Sequence, residues 1–365
     1  MDRVVYLIGS GATMAEMRHQ GIETHLSMTE IEEAVYQMSK DAHGKYGRLH
    51  DDLSLPSGID IEVMISLLEG CTSSESGSFR EVCDELRKFF RSYLVSQIME
   101  KPVEPKISEC LLHIHRNYGV HMGRTGEELI GILTTNYDSL LEEAFCCVYG
   151  GVNCGYPFYS KTYRSDHHLP KLLKLHGSFN WKIHKGDFFR KNRLEVSKEF
   201  EAEEYSEDYS GWIPPSVYKR PGGVIESMWN NAVSLLTMCN TLRVIGSSLR
   251  NEDSALLSLI FTSSLRNRQV NGKGFSIELI VPDIDAVGSE ERPTGIMQRL
   301  RFLGGMVNFS QLGVYPDGFI SAGNIYKEWL HMQITQIEKN RNATVSDDDF
   351  LADRLWQEVP IEVRS

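Results

Sequence analysis

The chain has 365 residues, 41% of them hydrophobic and 24% charged, with a formal net charge of −12. At about 150 residues per domain, this length suits two domains or one large α/β domain with an insertion. Such a composition excludes a disordered, fibrous or disulfide-stapled protein, and the acidic balance opposes direct binding to nucleic acid.

The run Val4-Val5-Tyr6-Leu7-Ile8 predicts a central strand covered on both faces. It stops at Gly9-Ser10-Gly11-Ala12-Thr13, where Thr13 is placed to cap a helix through Met14, Met17 and Arg18. Two overlapping capping boxes, Ser27 with Glu30 and Thr29 with Glu32, open a helix carrying Ile31, Val35 and Met38, which Gly44 ends. A Pro56-Ser57-Gly58 break leads into an apolar segment from Ile59 to Leu68, closed by Gly70, and 71–79 reads as a loop. Val82, Leu86, Phe89, Phe90, Tyr93, Leu94 and Ile98 mark a long amphipathic helix stopped by Lys101-Pro102, and a further helix carries Cys110, Leu111 and Ile114. Residues 25–120 are therefore expected to form a mostly helical insertion.

Strand–loop–helix grammar returns at 129–136, with a helix from Asp138 to about Val148, and at 172–177. It recurs at 242–248, with a helix over 252–265, and a last strand runs from Phe275 to Val281 before Pro282-Asp283. Such alternation predicts an α/β fold with a doubly wound, Rossmann-like parallel sheet. The acidic stretch 195–210 is expected to be a solvated excursion, 339–349 a polar linker, and Phe350, Leu351, Leu355 and Trp356 part of a short docking helix. The expected organisation is a nucleotide-binding domain over 1–24 and 121–338, the insertion over 25–120, and a C-terminal appendage over 339–365. The apolar run before Gly9 is too short for a signal peptide and no run is long enough to span a membrane, so a cytoplasmic location is expected.

Ligands of open α/β sheets bind beyond the carboxyl ends of the strands, where 9–13, 134–138, 176–177 and 246–248 would converge. Gly9-x-Gly11 suits close approach of backbone to a pyrophosphate at a helix N-terminus, or simply a tight turn. Asn136 and Asp138 offer an amide and a carboxylate for ribose or water, or a helix cap. His176 offers a general base near neutral pH, or a satisfied core imidazole. Gly246-Ser247-Ser248 suits the adenosine half of a dinucleotide, or another turn. The seven cysteines are irregularly spaced with no C-x-x-C, so neither a zinc ribbon nor any other metal site is expected.

Gly9-Ser10-Gly11-Ala12-Thr13, Thr134-Thr135-Asn136-Tyr137-Asp138, Lys174-Leu175-His176-Gly177 and Gly246-Ser247-Ser248-Leu249 occur in the order of the NAD-binding motifs of the sirtuin superfamily, which they resemble. Ile59-Asp60-Ile61-Glu62 and Leu67-Leu68-Glu69 resemble the helical insertion of bacterial sirtuin-like proteins. Two departures matter: the zinc ribbon of the deacylases is missing, and Thr135 stands where they carry Gln. What remains is similar to the sirtuin-like NAD+ hydrolases of bacterial antiviral defence. That resemblance implies cleavage of the nicotinamide–ribose bond, NAD+ as substrate, a homo-oligomer, and a separately encoded partner such as a HerA-like ATPase or an Argonaute.

Carried over by motif, Asn136 would orient the nicotinamide ribose or the attacking water, and His176 would serve as base. Gly9, Ser10, Gly11 and Thr13 would hold the pyrophosphate and adjoining ribose. Asp138 would fix the Asn136 loop or contact nicotinamide, while Gly246 and Ser248 would hold the adenosine half. Two other readings stand beside this one: a protein deacylase, which needs a peptide cleft, and a non-catalytic module that senses NAD+ or ADP-ribose and assembles with a partner.

Overall fold

In the computed structural model, β1 (Arg3–Ile8) carries five consecutive residues, Val4 to Ile8, that are at most 1% exposed. Residues 2–26, 28–39, 60–71, 77–99, 101–118, 127–184, 186, 192–197, 210–216, 223–250, 253–272, 274–280 and 313–315 are described. A strand this apolar on both faces requires a layer of helices on each side. Val4, Tyr6 and Ile8 pack with Ile107, Leu111 and Leu112 of one helix and Leu141, Ala144 and Phe145 of another. Val5 and Leu7 point the opposite way, into a core with Ala232, Leu235 and Leu236 and with Leu256, Leu257 and Ile260. Burying each such side chain contributes about 1.5–3 kcal/mol.

The sheet is parallel throughout and doubly wound, as expected. Besides β1 it contains β2 (Glu128–Thr134), β4 (Lys171–Lys174), β8 (Thr241–Ile245), β9 (Ser276–Ile280) and β10 (Gly313–Tyr315), in the order β10-β9-β8-β1-β2-β4. The chain leaves β1 in one direction to build β2 and β4, then returns to place β8 on its other side. The crevice of an open α/β sheet lies at that reversal. One face is covered by α5 (Lys106–Tyr118) and α6 (Leu140–Tyr149), the other by α7 (Gly223–Met238) and α8 (Ser254–Asn271).

Between β1 and β2 the chain forms α1 (Ser10–His19), α2 (Met28–Ser39), α3 (Ile61–Cys71) and α4 (Gly77–Leu94), the last running into a π-helical turn at Val95–Met99. Their apolar faces close on one another and on Phe179 and Trp212. Those two residues belong to a second, mixed sheet that the periodicity of the sequence did not announce. It is ordered β3-β6-β5-β7, with β3 (Phe158–Tyr159), β5 (Gly177–His184), β6 (Arg193–Val196) and β7 (Ser210–Trp212).

Several local expectations change. Thr13 does not cap α1: Gly9 occupies the cap, and Thr13 lies inside the first turns with its hydroxyl turned to Asp138. The helix after β2 begins at Leu140 rather than Asp138, whose Oδ1 accepts from the Leu140 N–H at 3.1 Å. The run 172–177 splits into β4 and β5 around Leu175-His176, where Gly177 adopts φ +72°. Glu195 and Val196 sit in β6 and Ser210 in β7, so both ends of the acidic stretch are paired rather than solvated excursion. Helix α7 went unread in the sequence. The stops at Gly44 and 56–58, Pro282-Asp283, the 339–349 linker and the terminal helix lie outside the described residues. Among the described residues, no helix is long and apolar enough to cross a membrane.

Candidate functional site

Four loops leave the carboxyl ends of β1, β2, β4 and β8 and line one cavity of about 410 Å3. Gly9, Ser10, Gly11, Thr13, Asn136, Asp138, His176, Gly246 and Ser248 are all on its wall. The nine residues proposed from the sequence for catalysis and binding thus line one cavity, whereas Ala12, Thr134 and Gly177 of the same segments do not.

The first and last of these loops are zipped together by backbone. Gly9 N–H donates to Ile245 O at 2.9 Å, and Gly11 N–H donates to Gly246 O at 2.9 Å. A Cβ on Gly9 would lie 2.7 Å from Gly246 O, and one on Gly11 2.9 Å from the same atom. Gly246 itself sits at φ +62°, in the left-handed region. The glycines therefore answer first to the approach of the two loops to each other. Leu249 also takes a left-handed conformation, φ 46°, which turns the next residue, Arg250, toward α3.

Asn136 is 7% exposed, and its amide orientation is dictated by its partners. Nδ2 donates to Gly9 O at 3.1 Å and to Thr13 Oγ1 at 3.0 Å, while Thr13 Oγ1 donates on to Asp138 Oδ2 at 2.8 Å. Both amide hydrogens are engaged, so Oδ1 is fixed as a buried acceptor, and among the described residues it has no hydrogen-bond partner. An unmet buried acceptor costs about 1–3 kcal/mol, which a ligand donor would recover.

Behind this relay, Lys174 Nζ donates to Asp138 O and lies 3.1 Å from Glu142, both side chains 1% exposed. Burial pushes the Glu142 carboxyl up, and Lys174 opposes that rise. Tyr137, between Asn136 and Asp138, stacks on Phe179 at 4.7 Å and meets Trp212 edge-on at 5.6 Å. Its hydroxyl donates to Ile213 O at 2.8 Å and is held well above the usual tyrosine range by burial and then by Glu62 and Asp253. The loop is thus clamped from both sides.

His176 is 5% exposed, with its Nε2 3.6 Å from Asp253 Oδ2. Asp253 is the N-cap of α8, its Oδ1 accepting from the Leu256 N–H at 3.4 Å. In the sequence Asp253 lies inside the helix expected over 252–265, whereas the helix starts at Ser254 and Asp253 caps it; nothing local could pair it with an imidazole 77 positions away. Also absent from that reading of the site are Glu62 and Arg250, and an apolar lining of Leu26, Ile31, Phe90, Leu94 and Ile98 contributed by the segment between β1 and β2. Arg250 bonds Asp60 and lies 3.9 Å from Glu62, tying the β8 loop to the start of α3.

The cavity lining combines the carboxylates of Glu62, Asp138 and Asp253 with the apolar side chains of Leu26, Ile31, Phe90, Leu94 and Ile98. Such a cleft suits a flat, polar small molecule and stabilises positive charge developing inside it. Among the described residues, no cluster of three or more His, Cys, Asp or Glu is placed to hold a metal.

Residues 131–257 match the family model of the SIR2-like domain. No curated protein sequence matches the chain. Among solved structures, a mutant Sir2 homologue in complex with ADP-ribose is 13% identical, covering 92% of this chain and 93% of that one, with a TM-score of 0.44. A Sir2 homologue–NAD complex is 15% identical, with coverages of 92% and 90% and a TM-score of 0.43. Sir2Tm bound to a propionylated peptide is 13% identical, with coverages of 90% and 93% and a TM-score of 0.41. Across 131–257, the stretch that carries the Asn136 loop, His176 and the Gly246 loop, this chain is similar to the SIR2-like domain.

Proposed function

We propose that the chain is an NAD+ hydrolase that cleaves the nicotinamide–ribose bond, releasing nicotinamide and ADP-ribose. The observation that carries this reading is the Asn136 amide, with its Oδ1 buried, without a partner among the described residues, and on the wall of the cavity that His176 also lines. The match of 131–257 to the SIR2-like domain supports it.

The bond between C1′ and the pyridinium nitrogen breaks with its electron pair going to nitrogen, so nicotinamide leaves neutral. Positive charge passes to the ribose, where the carboxylates of the cavity lining favour it. Asn136 Oδ1 accepts a hydrogen bond from a ribose hydroxyl or from the attacking water and so fixes the approach to C1′. Water forms the new C1′–O bond and gives up one proton to the imidazole of His176, which returns it to solvent. Gly9, Ser10, Gly11 and Thr13 hold the pyrophosphate and adjoining ribose, Asp138 fixes the Asn136 loop, and Gly246 with Ser248 holds the adenosine half. The same reading places the protein in antiviral defence as a homo-oligomer that depletes NAD+, working with a HerA-like ATPase or an Argonaute.

The test is purified protein with NAD+, followed by mass spectrometry for nicotinamide and ADP-ribose, with and without a candidate ATPase. Asn136→Ala and His176→Ala are expected to lose at least about 100-fold in rate while remaining folded. Binding of NAD+ without turnover in every condition would select the sensing module instead. Turnover that appears only with an acetylated peptide would select the deacylase.

A further inference from the structure

The hydrolase reading assigns His176 the role of base but says nothing of what sets its basicity; the inference here rests on that reading. The geometry points to Asp253 as the positioning residue of His176: its carboxylate holds the imidazole toward the cavity and balances the charge that appears when the imidazole takes a proton. His176 Nε2 lies 3.6 Å from Asp253 Oδ2, and the two side chains are 6% and 12% exposed. The two residues arrive from different strands' ends, His176 after β4 and Asp253 after β8, so their meeting is a property of the crevice and of no local motif.

The carboxylate itself is anchored. Its Oδ1 accepts from the Leu256 N–H at the start of α8, which leaves Oδ2 turned to the imidazole. A capping carboxylate is rigid and favoured at that end of a helix. Among the described residues, the other charged or titratable groups near His176 are Tyr137, with its ring 6.0 Å away, and Glu62, Asp138 and Arg250, which share the cavity wall. Tyr137 stays protonated and neutral, and Arg250 is matched by Asp60 and Glu62. Among the described residues, Asp253 is the charged group placed beside the imidazole, at 3.6 Å.

An adjacent carboxylate favours the protonated imidazole by about 1–3 pH units. When water attacks C1′, the proton moves from water to His176, which Asp253 faces across 3.6 Å. A more basic His176 removes that proton more effectively, but it must first be neutral, so turnover rises with pH through the His176 midpoint.

The test uses the full chain carrying Asp253→Asn or Asp253→Ser. Both replacements retain a good helix cap and remove the charge, which separates capping from positioning. By NMR, the His176 ring is expected to titrate about one unit lower in either variant than in the unaltered protein. In the nicotinamide assay, the rising limb of the kcat–pH profile is expected to move down by the same amount. Its plateau is expected to fall about threefold to tenfold, with KM little changed. A His176 midpoint unchanged in both variants overturns the assignment, as does an unmoved rate profile. If the unaltered protein releases no nicotinamide, the hydrolase reading fails, while the NMR titration still decides whether Asp253 governs His176.

Discussion

The Asn136 amide donates to the Thr13 hydroxyl across 3.0 Å, although 123 positions separate the two residues. Thr13 passes the bond to Asp138 at 2.8 Å, so one hydroxyl from α1 fixes both polar side chains of the β2 loop. The unmet Oδ1 of Asn136 is a consequence of this relay.

Thr13→Val keeps the shape of the side chain and removes the hydroxyl. Asp138 Oδ2 then loses its donor and Asn136 Nδ2 one of its two acceptors. Stability is expected to fall by about 1–3 kcal/mol, and nicotinamide release by about tenfold or more as the amide loses its fixed orientation. Thr13→Ser should restore most of both. Chemical denaturation and the nicotinamide assay, run side by side, check this; full activity in the valine variant would mean that Thr13 does not hold Asn136.

Gly246→Ala tests the zipper between the β1 and β8 loops. The added Cβ collides with the backbone of Gly11 and Ala12 at a position with φ +62°. Left-handed strain and overpacking together are expected to cost about 2–5 kcal/mol. Gly150→Ala is the control, with φ +74° and nothing within 4 Å of the new atom, so it should show the strain alone, about 1–2 kcal/mol. Equal losses in the two variants, read from denaturation midpoints, would remove the zipper from the account.

Two buried groups give the stability a particular pH dependence. Burial and then the nearby Arg243 lower His115 to about 3; its ring bonds the Tyr6 hydroxyl at 2.8 Å. Its neutral form is the folded one, so its contribution is complete above about pH 6.5 and is lost as pH falls toward 3. Burial raises Glu16 to about 7, against two backbone N–H donors at the start of α5, Ile107 at 3.0 Å and Ser108 at 2.7 Å. That contribution has the opposite sense, being present at low pH and lost as pH rises from about 4.5 to 7. The two slopes oppose each other between about 4.5 and 6.5. Glu16→Gln removes one of them, so the variant's stability should climb with pH across that window more steeply than the parent's, by up to about 1.4 kcal/mol per unit. Denaturation at pH 4.5, 5.5 and 6.5 measures the slope; identical slopes would refute the opposition.

Arg250→Gln cuts the tie between the β8 loop and α3. The Arg250 and Asp60 side chains are each 25% exposed, so the pair is worth about 1 kcal/mol at most. Amides in the first turn of α3 should then exchange up to about fivefold faster, while those of β1 stay unchanged. Hydrogen exchange followed by mass spectrometry over 60–71 and 3–8 reads both, and unchanged protection of α3 would show that the tie does not hold it.

Much of this architecture is legible in the sequence. The unbroken apolar run Val4 to Ile8 announces a buried parallel strand, because each residue must be covered whichever face it occupies, and the mostly apolar segments 129–134 and 242–245 follow the same pattern. The glycines and small polar residues that follow them mark the loops of the site. Helix α7 does carry a signal, Val224, Ile225, Met228, Ala232, Leu235 and Leu236 at helical spacing. The mixed sheet escaped because β3, β6 and β7 span only two to four residues each.

By itself, then, the order of residues determined the strand–loop–helix alternation and the four segments that had to meet beyond the strand ends. Backbone periodicity and glycine freedom act over a few neighbouring residues, and they are written there. Only the tertiary structure decided that Thr13 binds Asp138 instead of capping its helix, and that Gly9 and Gly11 pack against Gly246. It alone set Asp253 against His176 and brought Leu26, Ile31 and Phe90 into the lining of the cavity. Those contacts join groups up to about 240 positions apart, and their energy exists only once the sheet has closed and water has left the crevice between them.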